Sequence, residues 1–418
     1  MDTRPIYEFD HDTHPTSNNS NDSTTHPSHQ GYASDTEDGR PTRMDLESSA
    51  AFVFSSPGDW INLPQVNLEQ QVDSQTLVEV VKQLQNPKCM VTSLSLASNN
   101  IDEMTDIVNA LKVNRTLTEL NLADNRLDYW GATTLAKFLK QPSCHLVSIN
   151  LDSNGIGDAG IQDLATALKA NTGVASLNVG NNDISDVGAM PLAEVLHQNA
   201  TLTRLDLPRN KCSSKGAVAF ADALLVNTSL TSLDLGANEI SSTGIKSLAM
   251  ALKTNATLTS LNLSSNSIMV HGSRALANSL AVNYALTSLN LSHNKATPRA
   301  LAYLLWRNDT LRFLDVTKNT IDLQKPQHRV LAKAVAWATL NSRKVRLDVE
   351  FDISPSLVGL QRLLALLMAS LPKNANSPAH RSFFANPLFD ESLLYRLFSY
   401  LPPPDMLSSQ KKPKLLSN

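Results

Sequence analysis

The 418-residue chain carries 36 Lys and Arg against 39 Asp and Glu, a formal net charge of -3, so no global field draws it to nucleic acid or an anionic membrane. Three cysteines are too few for a disulfide framework, and no N-terminal basic segment leads into an apolar run. The longest apolar stretch, residues 359–371, contains Arg362 and falls short of the roughly 20 residues that a membrane span requires.

Residues 1–57 are rich in Ser, Thr, Asp, His, Asn and Pro and read as a disordered polar head. Its two H-x-x-H spacings, His11/His14 and His26/His29, lack the cysteines or folded frame of a metal site. Residues 58–90 read as an N-terminal helical cap, with Val72, Leu77, Val80, Val81 and Leu84 at helical spacing ahead of Pro87.

From 91 to 350 the pattern LxxLxLxxN recurs about nine times, starting at Val91, Leu117, Leu146, Val174, Leu202, Leu230, Leu258, Leu286 and Leu311. Between Leu146 and Leu286 every interval is 28 residues. Each unit opens with alternating apolar and polar residues, which predicts a short strand. An asparagine follows in register from Asn99 to Asn319, and its amide can satisfy backbone groups in the turn leaving the strand. The second half of each unit has a helical apolar stripe, as at Ile245, Leu248, Ala249 and Leu252. Gly131, Gly160, Gly188, Gly216, Gly244 and Gly272 share one register position, suited to a tight helix entry. Asn199-Ala-Thr and Asn255-Ala-Thr read as helix-exit residues rather than glycan acceptors.

Over residues 77–350 this arrangement resembles leucine-rich repeats of the ribonuclease-inhibitor-like class, also found in Ran GTPase-activating proteins and NLR-type receptors. Cys89 and Cys144 look like equivalent packing positions of that class. The resemblance implies an α/β fold, a right-handed solenoid with parallel strands on the concave face and helices on the convex face. Strands stack about 4.8 Å apart and helices need nearer 10 Å, so such an array curves into a horseshoe. "VRLDVEFDI" from Val345 supplies a last strand, and residues 351–418 hold a cap helix at 359–371 and an amphipathic tail.

The concave positions between the leucines are mostly small, including Thr231, Ser260, Asn262 and Asn290. Larger or charged groups enter at Glu119, Arg204, Asp206, Arg209, Asp234, His293, Arg312, Phe313, Asp315 and Lys318, which form the candidate surface for a protein partner. Arg312 and Phe313 stand out because binding hot spots favour arginine and aromatics. Asp206 and Asp234 share a register position, close enough for one carboxylate to raise the pKa of the other. No oriented third group or ligand set accompanies them, so no catalytic residue, metal or cofactor is assigned.

In the tail, "LFDESLLYRLFSYLPPPDML" at 388–407 resembles the opening of an F-box, with Leu393, Leu394, Leu397, Phe398 and Leu401 on one helical face and Phe389 where that family has proline. The resemblance implies docking to a ubiquitin-ligase adaptor. The whole reads as a monomeric, non-enzymatic scaffold in the cytoplasm. Alternatives are a ubiquitin-ligase adaptor, a secreted bacterial effector imitating one in a host cell, or a small-GTPase activator; "KKPK" at 411–414 would suit a nuclear location.

Overall fold

A computed structural model describes residues 60 and 62–319 in full, Leu331, and the backbone of 321–322, 346–348 and 351–352. All lie within one compact unit, Ser49–Asn418. The polar head, the helix at 359–371, the F-box-like Leu393, Leu394, Leu397, Phe398 and Leu401, and the basic tail lie outside the described residues.

The first strand is β1 (Gln65–Asn67), followed by α1 (Ser74–Gln85), whose N-cap Asp73 accepts from the Thr76 amide. The repeats continue as β2 (Ser93–Ser95), α2 (Thr105–Val113), β3 (Glu119–Asn121), α3 (Asp128–Leu139), β4 (Ser148–Asn150), α4 (Gly157–Leu168), β5 (Ser176–Asn178) and α5 (Asp186–Leu196). Then come β6 (Arg204–Asp206), α6 (Ser214–Leu224), β7 (Ser232–Asp234), α7 (Ser242–Leu252), β8 (Ser260–Asn262), α8 (Met269–Leu280), β9 (Ser288–Asn290), α9 (Pro298–Arg307) and β10 (Phe313–Asp315). The described chain closes with β11 (Ile321–Asp322), β12 (Arg346–Asp348) and β13 (Phe351–Asp352).

Strands β1 to β10 and then β12 form one eleven-stranded parallel sheet, while β11 pairs with β13. The strand expected at Val345 is therefore present as β12. β1 lies within the segment expected to be a helical cap, although its buried Val66 and the following buried Leu68 alternate as Leu94 and Leu96 do around β2.

Register is uniform: Leu205, Leu233, Leu261 and Leu289 stand level on successive strands. In the rung beginning at Leu230, the side chains of Leu230, Leu233, Leu235, Ile240, Leu248 and Leu252 are buried between sheet and helices. Each such burial contributes about 2 kcal/mol before chain entropy is counted. Consecutive helices pack side by side on the outer layer, giving the curved repeat solenoid.

The shared glycines have a different reason from the one their position suggested. A Cβ on Gly160 would meet Ala132 of the preceding helix at 3.0 Å, and one on Gly244 would meet Ala217 at 2.8 Å and the Ser214 Cα at 3.0 Å. They are small so that each helix can lie against the one before it. Positive φ is instead required at Gly155 and Gly157, at 66° and 65°.

Two buried asparagine ladders tie the rungs together. In the expected one, Asn210 Oδ1 accepts from the Asn182 and Ile184 amides, both at 3.0 Å, while its Nδ2 donates to the Val179 and Leu207 carbonyls. The second runs through Asn171, Asn199, Asn227, Asn255, Asn283 and Asn308 where the helices end. Asn227 Nδ2 donates to Leu196 O at 2.8 Å, and its Oδ1 accepts from the Ser229 and Leu230 amides. The asparagines of the two glycan-like triplets belong here, buried and bonded on both ends of the amide.

Asn210→Ala and Asn227→Ala each strand several buried backbone groups. Each is expected to lower unfolding stability in urea by about 2–4 kcal/mol, against less than about 0.5 kcal/mol for the exposed Thr166→Ala.

Candidate functional site

The concave residues group by strand. Arg204 and Asp206 occupy β6, and Arg204 Nε donates to Asp206 Oδ2 at 2.7 Å. Asp206 stands level with Asn178 on β5 and Asp234 on β7, so the two aspartates are nearest neighbours across the strands. Asp234 Oδ1 accepts from the Gly236 amide at 2.8 Å, and its Oδ2 accepts from Asn262 Nδ2 at 2.9 Å. The result is a continuous polar row from β5 to β9.

Phe313 and Asp315 occupy β10, level with Ser288 and Asn290. Asp315 Oδ1 accepts from both the amide and the hydroxyl of Thr317. Arg312 immediately precedes the strand and is exposed, with Nη1 donating to Asp309 O at 3.0 Å. Three strand steps, about 14 Å, separate β7 from β10. Glu119 on β3 lies a further three steps from β6, level with Ser93 and Ser148. The candidate surface is thus an extended row rather than a pocket.

Three candidates lie off the strand face. Arg209, His293 and Lys318 have φ of 55°, 52° and 56°, each in the turn directly before a ladder asparagine. They project from the rim, because the chain must reverse there to bring the asparagine inward. Nor are all strand-face positions exposed: Asp206, Asn290 and Asp315 are buried.

The threonines flanking the strands also differ from their plain appearance in sequence. Thr203, Thr231, Thr259 and Thr287 each donate Oγ1 to the backbone carbonyl of the preceding rung at 3.0–3.1 Å. Arg312 takes the same register position, its amide donating to Thr287 O, and breaks this hydroxyl ladder with a long cationic side chain. A second feature unseen in sequence stitches the outer layer. Asp158 accepts from the Ser185 and Gly188 amides and the Ser185 hydroxyl, and Asp186 repeats these bonds with Ser213 and Gly216. Burial opposes the Asp186 carboxylate, yet its hydrogen bonds from Ser213 and Gly216 prevail and hold its pKa below the ordinary aspartate value. The Asp-x-Gly at 158–160, repeated at 186–188, was the available signal.

Among the described residues no group of three or more His, Cys, Asp and Glu side chains could hold a metal ion, and no helix is long and apolar enough to cross a membrane. Cys89, Cys144 and Cys212 are free thiols. Burial, aided by the nearby Asp186 charge, pushes the Cys212 thiol up to about 12, far from a nucleophile's range.

Asp206 is the electrostatic exception in the row. Burial is the largest cause raising its pKa to about 6; Arg204 opposes the shift, and the Asp234 and Asp152 charges add to it. Its Oδ1 is buried without a hydrogen-bond partner. Because the folded state holds this proton up to about 6 and an unfolded aspartate releases it near 3.8, stability falls as pH rises through that window. Asp206→Asn, which keeps an acceptor for Arg204, is therefore expected to leave stability unchanged below pH 3.8 and to raise it above pH 6. The gain should reach about 2 kcal/mol, and denaturation midpoints across pH check it.

A family described as "Leucine Rich repeat" matches residues 113–136, 143–165, 170–193, 198–221, 226–249 and 254–277. The ribonuclease inhibitor of Sus scrofa is 34% identical over 93 residues, 22% of this chain and 20% of its own length. The NACHT, LRR and PYD domains-containing protein 14 of Homo sapiens is 36% identical over 90 residues, 21% of this chain and 8% of its own. This chain therefore spans a fifth or less of these relatives. The solved leucine-rich repeat-containing protein LegL7 from Legionella pneumophila is 22% identical, with a TM-score of 0.46 over 74% of this chain and 98% of its own. The six consecutive matched repeats and the parallel strand stack make this a leucine-rich-repeat solenoid, similar over part of its length to the ribonuclease inhibitor.

Proposed function

We propose that this protein is a non-enzymatic scaffold that holds a protein partner along its concave strands. The observation that carries this reading is the side-chain row itself: polar and charged groups held at one register position on successive parallel strands, fixed by the ladders beneath them. A preordered row of this kind loses little conformational entropy on binding, so contacts convert efficiently into affinity.

Beside the row, at β10, Arg312 and Phe313 are the anchors. An exposed guanidinium and a partly buried aromatic ring stand side by side where the hydroxyl ladder ends. Asp234, beside the buried Asp206, supplies the opposite charge toward the centre of the array; Glu119 extends the strand face toward β3, Arg209, His293 and Lys318 add charge along its rim, and Asp315 is buried on the same strand as Phe313.

Adaptor and GTPase-directed activities, the latter seen in the Ran activators, rest on resemblance alone. Binding of a purified adaptor subunit to the full chain, and GTP hydrolysis rates across a panel of small GTPases, test them directly.

For the concave surface, the double substitution Arg312→Ala and Phe313→Ala in the full chain should reduce recovery of specifically captured partners by about 10-fold or more in quantitative mass spectrometry. Equal recovery by wild type and variant would remove this face from partner binding.

A further inference from the structure

We infer that the edge of the array formed by the strand-to-helix junctions is a self-complementary surface on which a second copy of this chain docks in antiparallel orientation. Parallel strands each followed by a helix bring every such junction to one edge, so residues far apart in sequence form a single surface.

That edge changes sign at its middle. Before the β6–α6 junction its exposed charges include Asp102, Glu103, Asp128 and Asp183; from that junction onward they include Lys211, Lys215, Lys295 and Arg299. Arg126 and Glu239 run against the trend. Helix dipoles favour acids in every first turn and explain only half of the pattern. Asp106, Asp128, Asp158 and Asp186 begin α2 to α5, but no first turn from α6 to α9 contains an acid. Lys215 and Arg299 instead occupy first turns, where the dipole disfavours a cation. Lys215 has the Asp186 carboxylate of its own chain nearby, and further negative charge facing this half of the edge would favour both cations.

Two pairs of exposed apolar groups fall at symmetric junctions, while Val187, 65% exposed, opens α5 without an apolar counterpart at the start of α6. Tyr129 and Trp130, 36% and 70% exposed, open α3 with their rings packed edge to face, and Met269 and Val270, both 47% exposed, open α8. Both pairs are displayed by a left-handed residue at the start of the helix, Asp128 with φ 49° and Met269 with φ 50°. Such a backbone is unfavourable for these residue types and costs about 1 kcal/mol or more.

A two-fold axis between the fifth and sixth junctions accounts for these positions together. It pairs junction 3 with 8, placing Tyr129 and Trp130 of one copy on Met269 and Val270 of the other. It pairs 5 with 6, setting Asp183 against Lys211 and Lys215, and 2 with 9, setting Asp102 and Glu103 against Lys295 and Arg299. The midpoint of the apolar pairs and the point of charge reversal coincide, as an isologous contact requires. Within one copy Lys211 Nζ already lies 2.8 Å from Asp183 in an exposed pair, which can exchange partners across the axis at little cost.

Sedimentation velocity of the full chain over a concentration series at low and high salt tests this. Wild type should form a dimer that salt weakens. Asp183→Lys and Lys211→Asp, both at exposed positions, should each weaken self-association by about 10-fold or more. An equimolar mixture of the two variants should restore it, because opposite charges again face each other across the axis. Trp130→Ala should weaken it by about 10-fold as well. A monomeric wild type, unaltered dimers in the variants, or no recovery in the mixture would each overturn the inference. Arg312→Ala with Phe313→Ala should leave self-association intact, which separates this test from that of the concave face.

Discussion

The structure depends on keeping buried backbone groups satisfied where the chain turns between strand and helix. A solenoid places two such turns in every rung, beside an apolar core that excludes water. Asparagine solves the problem twice, once as the strand ends and once as the helix ends. In each case one carboxamide accepts from backbone amides and donates to backbone carbonyls, joining its own rung to its neighbours. The leucines supply the gross stabilisation, but the asparagines fix register, because a rung displaced by one residue would strand these donors and acceptors.

This constraint also divides the surface. Turn residues just ahead of the first ladder must adopt left-handed geometry, which carries Arg209, His293 and Lys318 out to the rim. Strand residues between the leucines remain on the concave face, and there the small side chains are not neutral: four threonines bond the rung before them. Arg312 becomes conspicuous because it interrupts a functioning hydroxyl ladder. On the outer layer, Asp158 and Asp186 cap the helix of the next rung, so the order of helices is enforced by charge-assisted bonds as well as by glycine-sized contacts.

Two electrostatic features stand apart from this scaffold logic. Asp206 holds a buried carboxylate oxygen without a partner, where Asn178 and Asn262 fill the equivalent positions in nearby rungs. The junction edge concentrates acids in one half and bases in the other, beyond what helix dipoles require. Both are departures from the repeated solution, and binding is where such departures become useful.

Much of the fold was legible because a 28-residue period exposes the same physical requirements again and again: leucine at the buried strand positions, asparagine at the turn, an apolar stripe along each helix. The candidate row followed from the same register, and Asp206 and Asp234 do stand side by side. The sequence by itself therefore determined the rung and its repetition. Only the tertiary structure decided what the rungs make together. It distinguished rim from strand face through backbone dihedrals, and it drew the second asparagine ladder from triplets that look like glycan acceptors. It also stacked junctions 28 residues apart into one edge. The physical reason is that a period in sequence specifies local pairing, whereas burial, hydrogen-bond partners and the sum of surface charge arise only when neighbouring rungs are in contact.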